Sequence, residues 1–284
     1  MIKAYYFLTK PGIIYGNVLT ASAGFFLAAQ GNIDLFLYTA AISGLALIIA
    51  SGCVFNNYID RDIDKKMERT KNRALVTGLI SVRSAMTVAT VLGILGAFVL
   101  LQTNILTLKI ALLGLFFYVV VYGITKRNSI YGTLVGSISG AVPPVVGYAA
   151  VTNTLDLGAA ILFAILVTWQ MPHFYAIAIF RLKDYRAAGL HVLPIKKGIT
   201  VTKLHMLFYT AVFIVAVSSL TFFGYTGYLY LVVVGALSLV WFYKSLLGFK
   251  AKNSEQWAKK MFGFSLIVIL VFSITVSLNS LLPL

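Results

Sequence analysis

The chain has 284 residues, of which 60% are hydrophobic and only 11% are charged, and its net charge is +15 at pH 7. These proportions lie far outside the range of soluble domains and indicate a helical membrane protein with many spans. The single cysteine, Cys53, excludes an intramolecular disulfide and a cysteine-based metal site.

Long apolar stretches recur along the whole sequence, and nine of them are long enough to cross a membrane as helices. We predict an all-α membrane protein, a bundle of nine transmembrane helices that forms a single domain over residues 1–284. The first apolar stretch is interrupted by Pro11, Gly12 and Asn17, so we expect an uncleaved span and not a signal peptide. The predicted spans are 13–31, 35–57, 82–102, 106–125, 131–151, 157–180, 204–223, 227–247 and 262–282.

The basic residues alternate between loops and thereby predict the orientation. Of the 23 Lys and Arg residues, 22 lie at the N-terminus or in the loops after every second span, and only Lys109 falls on the other side. By the positive-inside rule, the N-terminus and these loops are cytoplasmic and the C-terminus is outside. This bias also explains the charge of +15 without nucleic acid as a partner.

The end of the second span carries an unusual polar run, Asn56-Asn57-Tyr58-Ile59-Asp60-Arg61-Asp62-Ile63-Asp64. In a helix, Asn56, Asp60 and Asp64 fall at i, i+4 and i+8 and share one face. Asp62 lies on the far side, where it is expected to pair with Lys66. Such a row of oxygens suits Mg²⁺ held by few protein ligands together with a phosphate, although a solvated helix end is the alternative.

Two further polar clusters end the fourth and sixth spans on the same side of the membrane, and one arginine follows the acidic run. Acidic ligands for a metal with cations nearby form a diphosphate site, because the cations offset the charge that grows as diphosphate leaves. The alternative for each cation is topology and contact with lipid headgroups. The candidate residues are Arg73, Lys126, Arg127, Arg181, Lys183 and Asp184.

Two features lie deeper in the membrane. The pair Pro143-Pro144 in the fifth span is expected to kink or break the helix, which a membrane tolerates only against protein or a water-filled cavity. His173 follows Pro172 in the sixth span, about two turns deeper than Arg181. Such a histidine is either a packing residue or a group that binds an acceptor or transfers a proton.

The row of Asn56, Asp60 and Asp64, at the end of the second of nine helices, resembles the motif of the UbiA-type intramembrane prenyltransferases. Further motifs resemble the haem O synthase (protohaem IX farnesyltransferase) branch of that superfamily, and together they cover roughly residues 9–200. They are Lys10-Pro11 with Asn17, Met67-x-Arg69-Thr70-x-x-Arg73, Tyr122-x-x-x-Lys126-Arg127, Gly140-Ala141-x-Pro143-Pro144-x-x-Gly147-Tyr148, His173-Phe174, Asp184-Tyr185-x-x-Ala188-Gly189 and Leu193-Pro194.

The resemblance implies a prenyltransferase that moves a farnesyl group from farnesyl diphosphate to a vinyl group of haem b, with water addition, giving haem O. It implies Mg²⁺ on Asn56, Asp60 and Asp64, and haem b as a substrate and not a permanent cofactor. It also implies catalytic roles and diphosphate contacts for two sets of residues. The catalytic set is Asp60, Asp64, Lys126, Arg127 and His173, and the diphosphate set is Arg73, Lys126, Arg127, Arg181, Lys183 and Asp184.

The resemblance further implies a bacterial inner-membrane protein with a cytoplasmic active site, membrane lipid around it, and no nucleic acid. It leaves open a partner in terminal oxidase assembly or haem modification. One departure matters: wider relatives carry a second motif with two aspartates, whereas Asp184 is the only acid in that region here. Two alternatives remain, a UbiA-type prenyltransferase with an aromatic or quinone-precursor acceptor, and a cation-coupled transporter.

Overall fold

The computed structural model describes residues 1–281, and every regular element within them is a helix. Nine of these helices are long and apolar enough to cross a membrane, which confirms the predicted fold class. They are α1 (Pro11–Ala29), α2 (Leu35–Ile59), α3 (Val82–Leu100), α4 (Ile105–Asn128), α5 (Gly132–Thr152), α6 (Leu157–Phe180), α7 (Gly198–Phe222), α8 (Tyr228–Lys250) and α9 (Ser254–Leu281).

Two helices begin well before their predicted starts at 204 and 262. Helix α7 starts at Gly198 because the ammonium of Lys203 finds partners on the turn between α8 and α9 and so can be buried. Helix α9 starts at Ser254, where Asn253 Oδ1 accepts a hydrogen bond from Gln256 N at 3.0 Å and caps the first turn. The predicted end of the last span, residue 282, lies outside the described residues.

The bundle has two unlike ends. Short turns at 30–34, 101–104, 153–156 and 223–227 join the helices at one end, and three of the following helices are capped by Asp34, Asn104 and Asp156. The longer segments 60–81 and 181–197 lie at the opposite end, together with the N-terminal helix Ile2–Leu8 and the turns before α5 and α9. We call this opposite end the basic face, because it holds the basic residues of the loops.

Helices α1 and α5 pack backbone to backbone near the centre of the bundle. A Cβ added at Gly24 would overlap the carbonyl of Pro144, and one at Gly147 would overlap the carbonyl of Ala21. Small residues permit this approach, which replaces the hydrophobic driving force that is absent between helices in lipid. The contact fixes α1, and with it the residues just before α1, against the centre of the bundle.

Helix α5 is interrupted at Ala141, as the prolines predicted. The two halves are Gly132–Gly140 and Val142–Thr152, and Pro143 and Pro144 occupy the first turn of the second half, where no backbone donor is needed. The break faces protein, since Gln170 Nε2 of α6 donates to Ser137 O at 3.1 Å. Helix α4 is also irregular, with a π-helical turn over Phe117–Val121.

The α1–α5 contact predicts opposite effects for two glycine substitutions. In Gly147→Ala the added methyl group would clash with the carbonyl oxygen of Ala21, and the variant should lose roughly 1–3 kcal/mol of stability. Gly16→Ala, in α1, meets no atom within 4 Å and should leave stability unchanged or raised. Apparent Tm values in detergent would compare the two variants, and an equal shift for both would contradict the contact.

Candidate active site

Three side chains with oxygen donors lie in a row where α2 reaches the basic face. Helix α2 ends at Ile59, Asp60 caps it, and a short helix Arg61–Asp64 follows. The backbone nevertheless keeps the helical register, because Asp60 N bonds Asn56 O at 2.9 Å and Asp64 N bonds Asp60 O at 2.8 Å. The prediction that Asn56, Asp60 and Asp64 share a face therefore agrees with the backbone. We call these three residues the oxygen row.

Each member of the oxygen row binds one cation, and the cations come from three separate segments. Lys10 Nζ donates to Asn56 Oδ1 at 2.6 Å. Lys126, from the end of α4, forms an ion pair with Asp60. Arg73 Nη1, from the loop after α2, donates to Asp64 Oδ2 at 2.6 Å. The row thus gathers the start of α1, the end of α4 and the loop 65–73 around the end of α2.

Lys10 was missing from the residues proposed from sequence. It occupies the left-handed position before Pro11, with φ 54°, and this turn directs the chain from the N-terminal helix into α1. Desolvation of its ammonium group lowers the pKa of Lys10 to about 8. A lysine at the edge of a membrane span is a signal of function, and the sequence offered that signal at Lys10-Pro11.

Asp64 is the most deeply buried acid of the row, with 2% of its side chain exposed. The loop that follows turns back over it: Thr70 Oγ1 donates to Asp64 O at 3.0 Å, and Arg73 then reaches the carboxylate. Arg73, one of the candidate residues, therefore reaches the oxygen row from the loop after α2.

Two tyrosines of α4 extend the site towards the membrane interior. The rings of Tyr118 and Tyr122 stack with centroids 6.0 Å apart, and Lys126 Nζ lies 5.0 Å from the Tyr122 centroid. Tyr118 lies within the π-helical turn. Its ring packs on α2 at Gly52, which has no side chain to obstruct it. The sequence, with its 16 Tyr and 20 Phe residues, does not indicate which aromatic residues line the site, and this pair was not among the predicted site residues.

Asp62 does not pair with Lys66, and that expectation was wrong. The Arg127 guanidinium forms a two-pronged contact with the Asp62 carboxylate at 2.9 and 2.8 Å and also donates to Ile59 O. The reason is that Asp62 faces the end of α4, where a planar guanidinium matches both oxygens. These hydrogen bonds hold the pKa of Asp62 below its usual value. Lys126 and Arg127 therefore serve opposite faces of the segment 60–64.

The residues after α6 lie at the basic face but do not contact the oxygen row directly. Arg181 and Lys183 are exposed, and Arg181 lies over the ring of Phe180. Asp184 Oδ1 accepts a hydrogen bond from Glu68 N at 3.3 Å. His191 adds a second tie, since its Nδ1 lies 2.6 Å from Arg127 O. Segment 181–197 thus packs over the loops that hold the oxygen row.

His173 lies deeper, between α6 and α9. Its ring stacks on Trp169 and contacts Phe262, and its Nδ1 is 2.7 Å from Ser265 Oγ. The Ser265 hydroxyl donates its only proton to Phe262 O, so His173 Nδ1 must be the donor to Ser265. This fixes the neutral tautomer whose Nε2 carries a lone pair.

The oxygen row fits a hard cation that is shared with a substrate. Within residues 1–281, no three His, Cys, Asp and Glu side chains are grouped to hold a metal by themselves. The row instead offers one amide oxygen and two carboxylates, which are the donors that Mg²⁺ prefers when phosphate supplies the remaining ligands. Both oxygens of Asp60 face the Lys126 ammonium, and Asn56 Nδ2 is buried without a hydrogen bond.

Comparisons with known proteins show which proteins the chain resembles. Residues 17–268 match the UbiA prenyltransferase family. The chain is 53% identical to a Cronobacter sakazakii protein named protoheme IX farnesyltransferase, over 100% of this chain and 97% of that protein. It is also 53% identical to a Protochlamydia amoebophila protein of the same name, over 97% of this chain and 98% of that protein.

Solved structures share the fold at low sequence identity. A structure of digeranylgeranylglyceryl phosphate synthase superposes with a TM-score of 0.81 at 20% identity, over 99% of this chain and 98% of the other. A UbiA homologue from Archaeoglobus fulgidus bound to GPP and Mg²⁺ superposes with a TM-score of 0.70 at 16% identity, over 96% and 99%. At these identities the likeness concerns the fold alone.

The burial of Asp64 predicts that its ion pair matters more for folding than a surface pair of the same loop. Arg73→Met leaves a buried carboxylate unpaired and should cost roughly 3–5 kcal/mol, visible as a lower apparent Tm in EDTA. Lys71→Met breaks the exposed pair with Glu68 and should change Tm little. Adding Asp64→Asn to Arg73→Met should restore part of the loss; no restoration would contradict the pairing.

Proposed function

We propose that this chain, which belongs to the UbiA prenyltransferase family, transfers a farnesyl group from farnesyl diphosphate to a vinyl group of protohaem IX. The two products are haem O, formed with addition of water, and diphosphate. The observation that carries this proposal is the oxygen row with its three cations, set at the basic face of a membrane bundle. The acceptor follows from the 53% identity over the full chain to proteins named protoheme IX farnesyltransferase.

The diphosphate end of the donor binds at the oxygen row. Lys10, Lys126 and Arg73 already converge there, and each can exchange a row oxygen for a phosphate oxygen without moving far. Lys supplies a point charge and Arg a planar fork, so both kinds of phosphate contact are available. Asn56 Nδ2, which is buried without a partner, offers one further donor.

Mg²⁺ is the metal that this site suits, with Asn56, Asp60 and Asp64 as its protein ligands. Bound there, Mg²⁺ would supply positive charge that offsets the charge growing on the leaving diphosphate. The Archaeoglobus fulgidus homologue bound to GPP and Mg²⁺ supports this choice of metal. Because Asp184 accepts a hydrogen bond from Glu68 N and is the only acid in segment 181–197, the proposal places the metal on the oxygen row.

Bond making requires a route from the diphosphate to the membrane interior. The stacked rings of Tyr118 and Tyr122 start next to Lys126, and their electron-rich faces can stabilise the cation-like allylic carbon. As the C1–O bond to diphosphate breaks, C1 bonds the terminal vinyl carbon of the porphyrin. Water then adds to the inner vinyl carbon and loses a proton, which leaves a hydroxyl group. The surrounding apolar helices delay that water until the carbon–carbon bond exists.

Three further cations are proposed to approach the diphosphate only after the donor has bound: Arg127, Arg181 and Lys183. Arg127 is engaged with Asp62, and the other two cations are exposed on segment 181–197. Closure of that segment over bound donor would bring their charge towards the diphosphate, since His191 and Asp184 already tie it to the loops of the row.

His173 is proposed to meet the acceptor. The serine hydroxyl holds its Nδ1 proton, so Nε2 can ligate the haem iron or accept a hydrogen bond from the porphyrin. Trp169 and Phe262 fix the plane of the ring from both sides. A ligand held this rigidly can orient the porphyrin so that one vinyl group faces the allylic carbon.

The proposed setting is the bacterial inner membrane with the active site towards the cytoplasm. The charge bias of the loops supports this orientation, because the oxygen row lies at the basic face. A partner in terminal oxidase assembly or in later haem modification fits a membrane enzyme whose substrate and product are haems.

Substitutions of the three aspartates should distinguish the two acids of the oxygen row, Asp60 and Asp64, from Asp62 between them. Asp60→Asn and Asp64→Asn each remove a metal-binding charge and should lower haem O formation at least about 100-fold. Asp62→Asn is the matched control, because Asp62 faces Arg127 and not the row, and its activity should stay within a few-fold of the wild type. The product would be quantified by chromatography and mass spectrometry after incubation with haem b, farnesyl diphosphate and Mg²⁺. Near-normal product from both row variants would refute the site.

A second substitution tests the acceptor side. His173→Ala should raise the KM for haem b at least tenfold and leave the KM for farnesyl diphosphate near its wild-type value. His205→Ala serves as the control, since His205 is exposed and only touches the edge of Tyr175. An unchanged KM for haem b, with folded protein, would assign His173 to packing.

A further inference from the structure

A cavity opens on the basic face, away from the oxygen row. It lies between the end of α8 and the start of α9 and has a volume of about 470 Å³. Its polar lining comes from three lysines, two side-chain amides and one indole: Lys244, Lys252, Lys260, Asn253, Gln256 and Trp257. We call it the lysine pocket.

The lysines of this pocket have no acidic partners. Among the described residues, none of the three forms an ion pair, and Lys244 Nζ lies only over the ring of Phe264 at 5.1 Å. The acid nearest in sequence, Glu255, is bound to Lys259 at 2.6 Å and does not line the cavity. The positive-inside rule requires basic residues on one side of the membrane, but it does not require three unpaired lysines around one cavity.

The walls of the lysine pocket are held in place before any ligand arrives. The buried Lys203 donates to Gly248 O at 2.7 Å and to Ser254 Oγ at 2.9 Å, which closes the turn between α8 and α9. Trp257 donates to Lys244 O at 2.9 Å, and its ring packs so closely on Gly248 that an added Cβ would overlap it. This rigidity lowers the entropic cost of binding a ligand.

We propose that the lysine pocket binds the phosphate of an anionic phospholipid headgroup. The ligand chemistry is a phosphate anion, because Lys and amide donors surround the cavity without a carboxylate. The lipid source follows from the position at the basic face and from the apolar part of the wall, which is formed by Leu247, Ala251 and Met261. Basic pockets between membrane helices at the basic end of a bundle suit anionic lipid headgroups.

The site would act on α9, whose side chains contact the ring of His173. Helix α9 begins at the lysine pocket and carries Ser265 and Phe262, which contact the His173 ring. A bound headgroup would fix the first turns of α9 relative to α8. This consequence rests on the proposed role of His173, whereas the lipid site itself does not.

The test compares lipid binding by three proteins purified in neutral detergent. Wild type, Lys252→Gln/Lys260→Gln and the control Lys196→Gln/Lys197→Gln would be titrated with phosphatidylglycerol, phosphatidylcholine and inorganic phosphate. The control removes two exposed lysines of the same face outside the pocket. Bound lipid would be counted by native mass spectrometry, and the rise in Tm on lipid addition would be recorded alongside.

Wild type and control should bind phosphatidylglycerol in preference to phosphatidylcholine. The pocket variant should bind it about 25-fold more weakly, since each lysine removed costs about fivefold. Equal binding of both lipids by wild type, or equal loss in control and pocket variant, would overturn the proposal. Saturation by inorganic phosphate at the same concentration would identify a free-anion site and overturn the lipid assignment. Haem O formation by the pocket variant in detergent would show that the loss is not misfolding.

Discussion

Burial of two carboxylates at the edge of a membrane is the constraint on which the rest of this structure depends. Asp60 and Asp64 are 13% and 2% exposed, and such acids remain charged only where cations or metals meet them. The chain answers with Lys126 and Arg73, and it adds Lys10 on Asn56. Because these cations come from three distant segments, the positions of α1, α2 and α4 at the basic face are tied to one another.

The same pairing explains how the site can change partners. In the structure described here the cationic side chains bind the oxygen row. In the proposed complex the metal would take their place on the row, and they would bind phosphate. The two arrangements use one set of residues, so little reorganisation is needed at the moment of reaction. The π-helical turn of α4 contains Tyr118 and directly precedes Tyr122, so it lies at the aromatic end of the site. Such turns often occur at functional sites.

Sequence patterns were sufficient for the architecture and for part of the site. Apolar length and charge bias identified nine spans, and the four-residue spacing identified the oxygen row, because both depend on local geometry. The partner of Asp62 was missed, since the i+4 rule favours Lys66 whereas the tertiary fold supplies Arg127. Lys10 was overlooked although it lies at the edge of a span, because its contact with Asn56 spans 46 positions and only the fold brings the two together. The starts of α7 and α9 also depended on distant partners.

The most direct test of this account measures how farnesyl diphosphate binds to the purified wild-type protein with and without Mg²⁺. Isothermal titration in detergent would be carried out in Mg²⁺ and again in EDTA, and repeated with Asp60→Asn. The account predicts binding in Mg²⁺ that is lost or weakened at least tenfold in EDTA and in the variant. Equal affinity under all three conditions would show that the oxygen row does not hold the diphosphate, and would contradict the central claim.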